Sequence, residues 1–227
     1  MHECSSMNVP EATVKLSPAA ADEVITDKKE LSLYRGIISS LIYATISTRP
    51  DITHAVNMLS RYMHQPSQTH MTAAKRVLRY LKRCSEYGLV YNNNNKQYGM
   101  NDELSITAYC DSDWGGDTVD NKSTTGFAVL LNNNLITWIT KKQPTVALSS
   151  AKAELMAIVE VTKEVAWLSI LLGDLNYKIK QSSLILVDNQ SAINMSQNIG
   201  EHDRSKHIRI KYNYIKEEID KAAVGVH

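Results

Sequence analysis

The stretch Ile106-Thr-Ala-Tyr-Cys-Asp111-Ser-Asp113-Trp114 decides how the chain is read. Its β-favouring residues predict a strand, and an acid falls at the strand's end. Two more acids stand at comparable places. Glu154, in Ser149-Ser-Ala-Lys-Ala-Glu154, falls in the first turn of a helix, and Asp188, in Leu184-Ile-Leu-Val-Asp-Asn-Gln190, ends a short apolar run. A lone Asp at a strand end reads as a turn residue. Three acids in this order read as a set. If the first and fourth strands of one mixed sheet are neighbours, Asp111 and Asp188 come side by side at one sheet edge, and Glu154 reaches over it. Two-metal phosphodiester hydrolysis uses two cations about 3.5–4 Å apart. Mg²⁺ prefers hard oxygen ligands, so such a site takes carboxylates and no imidazole or thiolate cage.

Around this stretch the patterning predicts strands at Ile106–Asp113, Thr125–Leu131 and Leu135–Thr140, with Gly115-Gly116 and Asn132-Asn133-Asn134 as turns. Ser149 or Ser150 caps a long helix running to about Leu172. Ser183–Val187 is the kind of apolar run found in a buried parallel strand. A short helix (Gln190–Met195) and a last helix over about Ser205–Lys221 follow. The order βββαβα plus a helix predicts an α/β domain with a mixed sheet.

The preceding part is helical. Residues 1 to about 30 are polar, with Pro10 and Pro18, and read as an extended lead-in. Helices are expected over Leu33–Ser47, with Ile37, Ile38, Leu41, Ile42, Tyr43 and Ile46 apolar, and over Ile52–His64, with Asp51 as N-cap after Pro50. Pro66-Ser67 opens a third, in which Met71, Ala74, Leu78 and Leu81 recur at helical spacing, and Gly88 ends it. Its other side carries Lys75, Arg79 and Lys82, which read either as solvated surface or as contacts to nucleic-acid phosphates. The asparagine run Asn92–Asn95 marks the internal boundary, dividing the chain into 1–98 and 99–227.

Bulk composition narrows the classes. The 227 residues suffice for one large or two small domains. A net charge of +1 supplies no global field toward nucleic acid or membrane, so basic character has to be local. Cys4, Cys84 and Cys110 form no Cys-x-x-Cys, which fits a reduced, intracellular chain. No apolar run approaches the roughly 18 residues of a membrane span, and the N-terminus lacks signal-peptide character. No Gly-x-Ser-x-Gly elbow or phosphate-cradling Gly-Lys loop is present.

Several motifs together carry a family resemblance. Tyr109-Cys-Asp-Ser-Asp-Trp114, Lys122-Ser-Thr-Thr-Gly-Phe127, Ile136-Thr-Trp138, Ser149-Ser-Ala-Lys-Ala-Glu-Leu-Met-Ala157 and Asp188-Asn-Gln-Ser-Ala-Ile193 resemble the ribonuclease H domain of Copia-type (Ty1/Copia) retrotransposon polyproteins. Tyr34-Arg-Gly-Ile-Ile-Ser-Ser-Leu-Ile-Tyr43, Thr48-Arg-Pro-Asp51 and Ala74-Lys-Arg-Val-Leu-Arg-Tyr-Leu-Lys82 are similar to the segment that ends the reverse transcriptase. The resemblance implies a ribonuclease H-like mixed sheet with flanking helices, preceded by a small helical reverse-transcriptase remnant. It implies Asp111, Glu154 and Asp188 as catalytic metal ligands for Mg²⁺, with Mn²⁺ able to substitute. The implied reaction cuts the RNA strand of RNA–DNA hybrids, leaving a 3′-hydroxyl. Implied partners are the hybrid and the reverse-transcriptase portion of a polyprotein, with no membrane. The implied location is intracellular: cytoplasm, virus-like particle or nucleus.

Three departures stand beside it. The polymerase signature Tyr-x-Asp-Asp is absent, so no copying is expected. A fourth metal acid is implied either after Lys-His-Ile, where this chain reads Lys206-His-Ile-Arg209, or in a later segment resembling Ala-Asp-x-x-Thr-Lys. On either alignment the acid is lacking. The chain closes on Ala222-Ala-Val-Gly-Val-His227, so the last strand is expected to be missing and the edge beside Leu184–Val187 open. An inactive polyprotein fragment that at most binds nucleic acid is therefore the alternative.

Of the other candidates, Asp113 reads as a turn acid or an outer ligand, and Asp117 and Asp120 as solvated loop acids. His202, Asp203 and His207 fit no common zinc spacing. Trp114, Trp138 and Trp167 read as core or sheet-face residues.

Overall fold

The computed structural model describes residues 5–12, 14–92, 102–180, 183–197, 217 and 224–226. The chain divides into two compact units, Met1–Leu89 and Val90–His227. The expected junction at 98/99 lies outside the described residues.

In the first unit, Asp27 caps helix α1 (Lys28–Ser47) by accepting from Glu30 N at 3.1 Å. This start precedes the expected Leu33 because Lys28-Lys29-Glu30 is polar and hides the first turn. Tyr34, Ile38, Leu41 and Thr45 form the buried stripe, whereas Tyr43 and Ile46 face out. The chain then makes a short 3₁₀ turn, Pro50–Ile52, and helix α2 (Thr53–Ser60). Asp51 is not the expected cap. Its carboxylate takes the Arg49 guanidinium in two bonds, 2.9 and 2.7 Å. Arg49 also donates to Cys84 O (3.1 Å) and Cys84 Sγ (2.8 Å). Burial raises the Asp51 carboxyl, but the Arg49 guanidinium and a hydrogen bond with Tyr80 outweigh it and hold the group below its usual range.

Helix α3 (Gln68–Arg83) starts at Ser67, whose N–H donates to His70 Nδ1 at 3.0 Å. It ends at Arg83, with Cys84 N bonded to Tyr80 O, rather than at Gly88. Met71, Ala74 and Val77 meet Ile38, Val56 and Leu59 in one core, and each of these side chains except that of Ala74 contributes about 1.5–3 kcal/mol on burial. The lead-in joins this core. Leu16 and Ile25 are buried, Tyr62 Oη donates to Leu16 O (3.2 Å), and Ile25 N donates to Pro66 O (2.8 Å).

The second unit opens with the short strand β1 (Glu103–Leu104). Strands β2 (Ile106–Asp113), β3 (Thr124–Leu131) and β4 (Asn134–Lys142) follow, close to the expected bounds. Asn132 and Asn133 both adopt positive φ (48° and 62°), the conformation a two-residue β3–β4 hairpin requires. Helix α4 (Ser150–Asp174), β5 (Lys178–Ile179), β6 (Ser183–Leu186), α5 (Gln190–Gln197) and β7 (Val224–Val226) complete the described elements. The main sheet has the order β4-β3-β2-β6-β7. It is antiparallel from β4 to β2 and parallel from β2 to β7. β1 and β5 pair separately in parallel. Leu155, Ile158, Val161, Val165 and Leu168 of α4 pack with Ile106, Ala108, Cys110, Val129 and Ile185 of the sheet.

The edge expected to be open is covered. Val224-Gly-Val226 pairs in parallel with Ser183–Ile185, so a last strand is present. Three residues interrupted by a glycine leave no periodicity to read, yet three register pairs and the buried Val226 suffice to form it. Most of the expected helix over 205–221 lies outside the described residues. Among the described residues no helix is long and apolar enough to cross a membrane, and Cys84 and Cys110 are buried and free.

Candidate metal centre

Neighbouring parallel strands bring their C-terminal ends to the same side. Tyr109 of β2 is in register with Leu186 of β6, so Asp111 and Asp188, each two residues further on, stand at the same level. Ser149 caps α4, its hydroxyl accepting from Lys152 N at 3.2 Å, and that start delivers Glu154 to the same place. One ligand oxygen from each of Asp111, Glu154 and Asp188 lies within 4.8 Å of the others. The three acids singled out in the sequence are thus gathered, Asp111 and Asp188 exposed and Glu154 buried.

Glu154 is only 5% exposed. Its Oε1 accepts from Ser112 N (3.1 Å) and Ser112 Oγ (3.0 Å), while its buried Oε2 has no hydrogen-bond partner. Burial pushes the carboxyl up to about 7. The Ser112 bonds oppose that rise, and the charges of Asp111 and Asp188 add to it. Burial, then the same three acids, pushes the Cys110 thiol up to about 12, so no soft thiolate ligand is offered here. Three hard oxygen donors, one with an unpaired buried oxygen, match what Mg²⁺ or Mn²⁺ takes from a protein.

The neighbouring acids do other work. The Asp113 carboxylate accepts from Thr124 N, and a Cβ on Gly116 would collide with it, so this acid closes the β2–β3 connection. Asp117 is buried rather than solvated. Lys142 reaches both Asp117 (2.7 Å) and Asp120 (2.9 Å), and Val119 N donates to Asp117. The cation comes from β4, beyond the reach of a local reading of the loop. Trp114 and Trp167 are exposed, not core, and Trp114 Nε1 donates to Ala147 O (3.0 Å). On α3, Lys75 and Lys82 are exposed, whereas Arg79 donates through Nε to Ser5 O at 2.6 Å. His202, Asp203, His207 and Arg209 lie outside the described residues. Ser112 escaped the sequence reading, and its place between two acids was the available signal.

No protein-family model matches the chain. It is 39% identical over 193 residues to the retrovirus-related Pol polyprotein from transposon RE2 of Arabidopsis thaliana, covering 85% of this chain and 13% of that protein. It is 35% identical over 215 residues to the corresponding polyprotein from transposon TNT 1-94 of Nicotiana tabacum, covering 94% of this chain and 16% of that one. Over most of its length the chain is homologous to Pol polyproteins of transposons. It spans roughly an eighth to a sixth of the length of these Pol relatives. Among solved structures, LC11-RNase H1 in complex with an RNA/DNA hybrid is similar at a TM-score of 0.40 and 11% identity, over 54% of this chain and 83% of that one.

Proposed function

We propose that the Val90–His227 unit is the ribonuclease H domain of a Copia-type Pol polyprotein. It hydrolyses the RNA strand of RNA–DNA hybrids during retrotransposon reverse transcription. The observation that carries this reading is the meeting of Asp111, Glu154 and Asp188, with Glu154 Oε2 buried and unpaired. The family motifs that surround each acid support it. Mg²⁺ is the cofactor, Mn²⁺ substitutes for it, and these three carboxylates hold it. A bound divalent cation supplies charge neutralisation at the scissile phosphate and lowers the pKa of water.

The chain's own residues do the positioning. Ser112 takes one oxygen of Glu154 and leaves the other for a ligand. Asp111 and Asp188 are exposed, so a polymeric substrate can reach them. On the same reading the Met1–Leu89 unit is the end of a reverse transcriptase, and Lys75, Arg79 and Lys82 meet hybrid phosphates, a contact that weakens with salt. The protein acts inside the cell, in the cytoplasm, a virus-like particle or the nucleus.

A second reading, a hybrid-binding remnant without turnover, is favoured by one observation: Arg209 stands where an acid is expected. Cleavage of a labelled hybrid in Mg²⁺ and Mn²⁺ separates the two, with Asp111→Asn as control. Cleavage that vanishes in the control is expected. Binding without cleavage by a folded sample establishes the remnant, and Arg209→Asp then asks whether the missing acid is the cause. Cleavage that survives Asp111→Asn refutes the site.

A further inference from the structure

Glu154 is brought to the acids by a helix, and a helix can slide or tilt on the sheet beneath it. Apolar side chains pack α4 on the sheet, and a polar contact also has to fix its first turn if Glu154 is to be held to one position. The residue just after β4 does this. Gln143 is 4% exposed, and its backbone N–H donates to Ser123 O at 2.8 Å. Its amide nitrogen donates twice, to Thr125 Oγ1 of β3 (3.0 Å) and to Ala153 O of α4 (3.0 Å). Ala153 immediately precedes Glu154. Thr125 is the register partner of Ser112, the residue that grips Glu154 Oε1. A closed ring of contacts therefore runs from Ser112 to Thr125, to Gln143, to the Ala153–Glu154 backbone, and back to Ser112.

We propose that Gln143 is a positioning residue for the metal centre, pinning the start of α4 to β3 so that Glu154 meets Asp111 and Asp188 at ligand distance. The proposal rests on the reading of those acids given above. The amide acts through its nitrogen alone. Gln143 Oε1 is buried without a partner, and Ala153 O can only accept, so a donor is what the position requires. Glutamate, nearly the same shape, would set a carboxylate oxygen against that carbonyl. Residues that orient metal ligands typically alter metal affinity by about 10- to 100-fold.

The test is Mn²⁺ affinity of the full chain by electron paramagnetic resonance titration, alongside thermal melts. Gln143→Met keeps the side chain's length and removes both donors. We expect a cooperative melt and Mn²⁺ binding weakened about tenfold. Gln143→Glu should weaken it further. Thr125→Val removes one acceptor and should give a smaller loss that adds nothing in the Gln143→Met background. Wild-type affinity in folded Gln143→Met overturns the proposal. Should that variant not fold, wild-type affinity in Thr125→Val overturns it instead. Asp111→Asn distinguishes the two levels: Mn²⁺ affinity unchanged in that variant, or no binding by the wild type, defeats the reading of the acids. In either case amide hydrogen exchange at Glu154 in the metal-free chain still judges the clamp. Faster exchange in Gln143→Met or Thr125→Val sustains it, and unchanged exchange refutes it.

Discussion

Ser112 grips Glu154 twice, through its backbone N–H and its hydroxyl, and both donate to the same carboxylate oxygen. The grip orients the acid and stabilises its charged form. Ser112→Ala removes the hydroxyl and leaves the backbone bond. We expect an unchanged fold and divalent-metal affinity lowered roughly tenfold, read by calorimetric titration with Mn²⁺. Affinity equal to wild type would show that the backbone bond alone suffices.

Metal-free Glu154 is a destabilising group at alkaline pH. Its folded-state value, about 7, lies above its ordinary 4.5, so the folded state binds the proton more tightly. The stability this brings is fully present below about 4.5 and is lost as pH rises through about 7. Glu154→Gln cannot lose it. In EDTA the variant should gain on the wild type between pH 5 and pH 8, by about 1–2 kcal/mol in urea melts. Parallel stability curves across that range would contradict the shift.

The Arg49–Asp51 pair is a structural counterpart in the helical unit. Arg49→Leu leaves the partly buried Asp51 carboxylate without its cation and with only the Tyr80 hydrogen bond, at a cost of about 2–3 kcal/mol. Because Asp51 is held below its ordinary value, the pair's contribution is present above that ordinary value and is lost as pH falls through the folded one. The gap between wild type and variant should therefore close in acid. A gap that stays constant from pH 7 to pH 3 would assign the loss to packing instead.

Strand β7 is short, and Val226 is its buried anchor. Val226→Asp places a charge in the core and should free the β6 edge. The expected result is a melt lowered by about 3 kcal/mol or more, with concentration-dependent aggregation. Light scattering and denaturant titration read both, and a soluble variant of native stability would mean that β7 is dispensable.

The three acids were legible because each sits in a local motif at the end of an element, and β2, β3 and β4 because alternation survives within a strand. What escaped was decided across distance. Asp117, in a loop, found Lys142 on β4, Asp51 took Arg49 instead of a helix end, and Gln143 joined β3 to α4 with no periodic signature. The apolar run of α1 did not by itself say which side is buried, and Tyr43 and Ile46 lie on the exposed side. The start of α1 was hidden by charged residues, although Asp27 marked it. Strand β7 was too brief for any pattern.

The pairing of β2 with β6 has a kinetic side. Thr107 meets Leu184 only after the intervening hairpins and α4 have been traversed, and parallel contacts of such long sequence separation are slow to form. Asp111 and Asp188 are far apart along the chain until that docking occurs. A nascent or collapsed molecule can hold native helices and a finished three-stranded meander while having nowhere to place a cation. The topology predicts a centre assembled late, and its appearance during refolding would time the closure of the sheet.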